Sequence, residues 1–472
     1  MRLKVIALLS LVIIFFTFCS CKKNILTEPP TPEKPAEVPV VIPPTTIPGK
    51  PEIPADTVIE LGTGSGNLTI DGSKINFSGN ILIKIKSGSY SSINLKNIQI
   101  ADGKKMTVKN TSDGIVYVKE EMSLNNVKNL IVSGDGSKDQ YGFQFLDLAY
   151  RCIRINNFWS GVEINRARFT NNRDYCISVE STIFNKTYTG TADTRTENIK
   201  IIGCEFDNTG TIYFGGELNK DTNTDIGFVK GLEVAYCTFK NGSPGDCIKV
   251  GNVEGYNIHH NTFNNINSYS NIHNGIVFVI GDGDVHHNIC TNHQGNFVRA
   301  WVYSREGVKT SKSYNNIIYN SRKYSAFEYQ AFSRHMWGGK TTYTNVLCYN
   351  NTVGKMNTSL DWIGNVIDIY NLAGGSIEVF NNVGINFGHP FGWENPAGQQ
   401  NYITNIQANQ AVTASNNSYF ATLSEAGILN DTDFKISGNS ALKAKGKNAG
   451  NLLEDDFYGV KRAAIPSIGA TE

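Results

Sequence analysis

Lys249, Arg299, Glu328 and Asp368 fall at the same place in short apolar segments that recur along the chain: DCIKVG (246–251), IVFVIG (276–281), NFVRAW (296–301), SAFEYQ (325–330) and NVIDIY (365–370). Alignment of these segments puts Lys249, Val279, Arg299, Glu328 and Asp368 in one column. Such a row can carry proton-transfer chemistry. A cation neutralises an acidic group while a neighbouring base removes a proton beside it, or two carboxylates divide the acid and base roles. Outward charge on a solvated strand also serves solubility alone, so each side chain has a purely structural reading beside the chemical one.

Two further groups could do chemistry. His259-His260 and His286-His287 share a register, with His273 and His293 in nearby loops, and clustered imidazoles can hold a metal or supply a base. Alternation turns one ring of each pair outwards, which leaves His259 and His286 as candidates. His260 and His287 then pack at a corner that Tyr236, Asn315 and Asn350 occupy elsewhere. The segment IGDGD (280–284) supplies Asp282 and Asp284, read as part of a Gly-rich turn. Calcium would require further converging oxygens there, and a tight turn explains the same residues. Arg322, Arg334 and His335 are expected in loops that could close over the column. Trp301 and Trp337, with Tyr303, Trp362 and Trp393, could stack on a ligand ring or pack under loops.

The elements that must position these residues follow from an internal repeat. KIIGCEF (200–206), EVAYCTF (233–239), NIHHNTF (257–263), DVHHNIC (284–290), KSYNNII (312–318), LCYNNTV (347–353), EVFNNVG (378–384) and TASNNSY (413–419) align on one pattern, with units roughly 24 to 35 residues apart. That spacing is one coil of a solenoid. Alternation within each unit sends Ile, Val or Phe inward. Asn261, Asn288, Asn316, Asn351, Asn382 and Asn417 then form a ladder, preceded by Cys204 and Cys237 at the same register. Asn suits a corner because it tolerates left-handed backbone and its amide can bond to equivalent groups in adjacent coils. A Cys204–Cys237 disulfide is geometrically open, but free core thiols are expected. Weaker copies at VKNLIVSGDG (127–136) and GVEINRARFTNN (161–172) extend the solenoid N-terminally, where an element between Thr57 and Asn80 is expected to cap it.

The N-terminus speaks to compartment. Arg2 and Lys4 precede an apolar run from Val5 to Phe18, short for a membrane span, so residues 1–21 read as a signal peptide rather than an uncleaved anchor. Phe18-Cys19-Ser20-Cys21 resembles a bacterial lipobox with Cys21 as the lipidated residue, although Phe18 stands where Leu is usual; Cys19 is the alternative acceptor. Residues 22–56 are Pro-rich and aperiodic, a semi-extended spacer, and the folded body is expected over 57–472. An exported protein tethered to a bacterial membrane through its lipid, at the outer membrane or cell surface, is the expectation. The charge of +1, with 43 basic and 42 acidic residues, includes no basic block for a phosphate backbone, so nucleic acid is not an expected partner. The cysteines beyond the leader lack CxxC pairs or zinc-like Cys/His spacing.

The Asn-ladder coils resemble the right-handed parallel β-helix repeat of the pectate-lyase-like superfamily over most of the chain beyond the spacer. SALKAKGKNAG (440–450), DFYGVKR (456–462) and PSIGATE (466–472) resemble the ending of many secreted bacterial β-helix proteins, with Ala441, Leu442 and Lys443 departing from the usual pattern; a closing cap is expected there. The resemblance implies an all-β, single-stranded right-handed parallel β-helix that acts on polysaccharide in a groove along one sheet, with calcium a common cofactor. A lyase cleaving uronate glycans by β-elimination is the leading expectation. Lys249 and Arg299 would then share neutralisation and proton removal. The alternatives are a glycoside hydrolase using Glu328 with Asp368, and a noncatalytic glycan-binding or structural solenoid.

Overall fold

The computed structural model describes residues 53–472, apart from 77, 180–185, 220–223, 243–244, 246, 269–271, 306, 332–342, 371, 373, 391–399, 407–410 and 453. The expected signal peptide, Cys21 and most of the spacer lie outside the described residues, as do Arg334, His335, Trp337 and Trp393.

Each coil contributes short strands to three long ladders, and every pairing within the ladders is parallel. One ladder runs through Ile81, Met106 and Leu130 and, farther on, Ile199, Leu232 and Tyr256. A second runs through Gln144, Arg168, Glu205, Thr238, Thr262 and Ile289. The third runs through Met122, Ile153, Ile177, Ile212, Ile248, Val277, Val298, Phe327 and Ile367. Long strands such as Ile248–His259 and Gly275–His286 bend from one ladder into the next. The chain is a right-handed parallel β-helix.

Alternation explains the core. Ile, Val and Phe point inward at every second position, and each coil covers the open edge of its neighbour. Identical residues stack: the rings of Phe145, Phe169, Phe206, Phe239 and Phe263 follow one another at 5.0, 4.8, 4.6 and 4.7 Å, close to the strand spacing. The seven cysteines of the described residues are buried and free, Cys204 and Cys237 included.

The asparagine ladder is continuous. Asn261 Nδ2 donates to Asn288 Oδ1 at 3.0 Å, Asn288 to Asn316 at 3.0 Å, Asn316 to Asn351 at 3.0 Å, Asn351 to Asn382 at 2.9 Å and Asn382 to Asn417 at 3.0 Å. Each backbone N–H donates to the same oxygen, so one carbonyl satisfies two donors of the coil before it. The left-handed conformation belongs to the preceding residue: His260, His287, Asn315, Asn350, Asn381 and Asn416 have φ between 50° and 56°. The ladder asparagines themselves are spent on bonding between coils, and the corner turns one residue earlier.

Both ends differ from the expected caps. Thr57–Leu61 and Ser65–Asp71 pair with Ile81–Ile85 and Gly88–Gln99, so the segment expected as a cap is itself a coil. The C-terminal segment meets the last coil, where Asn416 Nδ2 donates to Lys445 O at 3.0 Å, and also runs back along the flank. Asn381 Nδ2 donates to Lys447 O, Asn350 Nδ2 to Ser467 O, and Asn315 Nδ2 to Asp455 O. Buried Arg462 donates to Asn315 Oδ1 at 2.7 Å and to the backbone oxygens of Gly469 and Ala470. Leu442, at one of the positions that depart from the usual ending, is buried in a second core with Ile289, Ile317, Val383, Phe434 and Ile468. The outward face of one ladder is thereby covered.

Candidate functional site

The third ladder carries the charged column on its outer face. Register places Ser178, Tyr213, Lys249, Phe278, Arg299, Glu328, Asp368 and Asn405 opposite one another on successive strands. Four of the five residues aligned from sequence therefore share a column. Val279 does not: it pairs with Val250 and is buried in the core, and Phe278 takes the outward place. The alignment slipped by one because Val277 and Val279 alternate inward around an outward residue that is also apolar, which removes the polar signal.

Glu328 is the centre of a fixed cluster. Arg299 Nε and Gln330 Nε2 each donate to its Oε1 at 2.8 Å, and His273 Nε2 lies 2.8 Å from its Oε2. His273 Nε2 also meets Asn296 Oδ1 at 2.9 Å, so it is placed between that oxygen and Glu328 Oε2. Arg299 Nη1 donates to His273 O at 3.3 Å, and the imidazole stacks on Tyr324 at 4.0 Å. With Nε2–H directed at these oxygens, Nδ1 is left with the lone pair of a neutral imidazole. The Glu328 side chain is 1% exposed against 24% for Arg299 and 32% for His273. Glu328 therefore orients the other two, which are the groups a ligand can reach.

The electrostatics separate the two carboxylates. Burial works to raise Glu328, but His273 and Arg299 outweigh it and hold the carboxyl below the usual glutamate value. Burial pushes Asp368 up to about 6, helped by the negative Glu328 and opposed by hydrogen bonds from Asn405 and Ser325. Asn405 Nδ2 donates to Asp368 Oδ1 at 2.9 Å. Both carboxylates are buried, so as they stand neither presents an open face to a glycosidic oxygen and a water, which is what a hydrolytic pair requires.

Lys249 is the opposite case. It is exposed, lies over the Phe278 ring at 5.7 Å, and makes no ion pair among the described residues. Trp301 lies beside Phe278 at 5.8 Å, half-buried, and Gln330 pairs with it across the strands. Arg322 sits two residues before Tyr324, with its backbone N–H on His293 O, and Lys323 bridges to Asp361 and lies over Trp362.

The histidine pairs lie on another face and form part of a ring ladder. His259 stacks on His286 at 4.9 Å and His286 on Tyr314 at 4.7 Å, while His260 stacks on Tyr236 and His287. Within each pair the Nδ1 atoms meet, at 2.9 Å for His259 with His260 and 2.7 Å for His286 with His287. His259 is buried against Glu233 and His286 half-buried against Asn257, so the expectation of two exposed catalytic rings is corrected. Burial lowers His260 to about 4, His286 to about 2 and His287 to about 3, with their neighbouring imidazoles adding to the effect.

Asp282 and Asp284 also change reading. They lie inside the strand Gly275–His286 rather than in a turn. Asp284 is paired with Lys312 at 3.1 Å, which puts an ammonium where a cation would sit. Asp282 is buried beside Glu254, and burial together with that neighbour pushes it up to about 7. Among the described residues no group of three or more His, Cys, Asp or Glu is placed to hold a metal. With Asp284 paired to Lys312, the two carboxylates do not converge on a calcium site, and no step of the proposed chemistry uses one.

Sequence reasoning noted His273 only as a nearby loop residue and missed its pairing with Glu328. Asn296, Tyr324 and Asn405 were also missed. Asn405 was recoverable by extending the column one coil, and Asn296 opens the aligned segment NFVRAW; Tyr324 had no signal, because coil loops vary in length and carry no register.

No protein-family profile matches the chain, and no curated protein matches it in sequence. Among solved structures it is similar to pectate lyase Pel9A, at 13% identity over 86% of this chain and 96% of that one, with a TM-score of 0.39. It is also similar to the PL6 family polysaccharide lyase Pedsa3628 from Pseudopedobacter saltans (11% identity, 85% and 99%, TM-score 0.40) and to the PL6 family alginate lyase AlyGC (13%, 74% and 53%, TM-score 0.34). The class of the protein, a parallel β-helix with a charged column on the outer face of its third ladder, rests on its own ladders.

Proposed function

We propose that this chain acts on polysaccharide, cleaving a uronate-containing glycan by β-elimination on the outer face of the third ladder. The observation that carries the reading is the Arg299–Glu328–His273 cluster, a fixed guanidinium and a fixed imidazole held side by side by a carboxylate that is itself out of reach. In the reaction the guanidinium of Arg299 neutralises the uronate carboxylate, which acidifies the adjacent C5–H. His273 Nδ1 takes that proton, the C4–O bond breaks as the C4=C5 double bond forms, and the leaving oxygen receives a proton from water or a neighbouring acid. Lys249, separated from Arg299 by Phe278, binds the carboxylate of another sugar along the chain, roughly 10 Å away at two strand spacings.

We also propose export and lipid anchoring at Cys21, which rests on the leader sequence alone. Incubation with acidic and neutral polysaccharides tests the activity. The proposal expects the absorbance of unsaturated uronates with at least one acidic glycan, and it fails if none of them yields this product.

A further inference from the structure

We infer that the chain binds its glycan at a second region, a cleft of about 900 Å³ whose walls include Asp147, Asn171, Arg173, Tyr175 and Asn208, continuous with the Lys249 column. Its occupant is the same acidic glycan, extended beyond Lys249, so the inference rests on the proposed function for its substrate class.

Continuity comes from two tyrosines. Tyr213 is the column residue next to Lys249, and its ring stacks on Tyr175 at 4.3 Å with planes 9° apart. Tyr175 in turn stands in the cleft wall. The aromatic surface is fixed from behind: Arg151 lies over Tyr150 at 4.3 Å and over Tyr175 at 5.2 Å, and is itself held by Asp174 at 2.7 Å. Arg151 is therefore charge-compensated and acts as a support. Arg173 differs. It is exposed and makes no ion pair among the described residues, which leaves its guanidinium for a ligand carboxylate.

The remaining walls suit a sugar. Asn208 Nδ2 donates to Asn171 Oδ1 at 2.9 Å, and Asn171 Nδ2 donates to Asp147 Oδ1 at 3.1 Å, so these planar polar groups are locked in place before any ligand arrives. Orienting amides, the edge of the Tyr175 ring and one open cation make up the chemistry that recognises a uronate ring.

Reach sets the consequence. From Tyr213 to Asp368 the column spans five strand spacings, about 24 Å. A glycan lying along the axis advances by about one sugar per coil, so the cleft is reached only by chains longer than those that fill the column between Lys249 and Glu328.

The test is calorimetric binding of uronate oligosaccharides of increasing length to the full chain carrying His273→Ala, which suppresses turnover. Affinity is expected to rise with length until the cleft is reached. Adding Arg173→Ala and Tyr175→Ala should then cost about tenfold on long chains and much less on the shortest that bind. Arg173→Gln, at an exposed position, repeats the comparison with little risk to folding. Equal affinity of the parent and both cleft variants for long chains overturns the cleft. If the parent binds no uronate chain of any length, the substrate class fails and the cleft fails with it. Binding by the parent with an equal loss at all lengths shows a general defect and also overturns the cleft.

Discussion

Glu328 Oε2 lies 2.8 Å from His273 Nε2 while its other oxygen accepts Arg299 Nε at the same distance, so one buried carboxylate sets the position of both groups that a ligand can touch. Removal of that charge should act through its partners. Glu328→Gln is expected to lower turnover by about 10²-fold, the scale of a displaced general base, while leaving the KM for acidic glycans within about threefold. Equal turnover by the variant would contradict the orienting role.

Lys249 is exposed and unpaired among the described residues, so its replacement tests binding apart from folding. Lys249→Ala should change stability by no more than about 0.5 kcal/mol and raise KM for acidic glycans about tenfold, with a weaker salt dependence. Thermal melts and kinetics at two ionic strengths provide the check.

The histidine ladder makes stability pH-dependent in a defined direction. His260, His286 and His287 are held near 4, 2 and 3 in the folded chain against an ordinary value of 6.5. The unfolded chain therefore takes up protons first. Stability is full above pH 6.5 and falls as the pH drops from there towards those lower values, by at most about 1.4 kcal/mol per pH unit for each ring. His287→Asn places in the corner the residue that Asn315 already provides one coil later, and should flatten the dependence. Urea midpoints at pH 7 and pH 5 read it directly.

Asn316 is fully buried, gives its amide to Val285 O and Asn351 Oδ1, and accepts the amide and backbone N–H of Asn288. Asn316→Ala leaves groups on both neighbouring coils without partners and should destabilise by about 3 kcal/mol. Asn316→Asp keeps the acceptor and loses the donors, so it should also destabilise. Denaturant midpoints of the two variants test the ladder.

The scaffold was legible in the sequence because a β-helix repeats its chemistry at a fixed register. An amide that bonds to the same amide in the next coil requires Asn at the same place each time, which is why Asn261 to Asn417 could be aligned by eye. The column was legible wherever its outward residue was polar and slipped at Phe278, where it was not. The structure placed His259 and His286 inside a ring stack that sequence spacing could not distinguish from an exposed pair. His273 was the hardest to assign. Its partner Glu328 lies on a later coil, and only the folded loop brings the two together.

The central claim is that cleavage proceeds by proton abstraction at the Arg299–Glu328–His273 cluster. The most direct measurement is mass spectrometry of the new chain ends formed from an acidic glycan by the parent and by His273→Ala. The account predicts that every new non-reducing end in the parent reaction is dehydrated and carries the unsaturated sugar, and that such ends are lost in the variant. Hydrated ends, or dehydrated ends formed equally fast by His273→Ala, would contradict it.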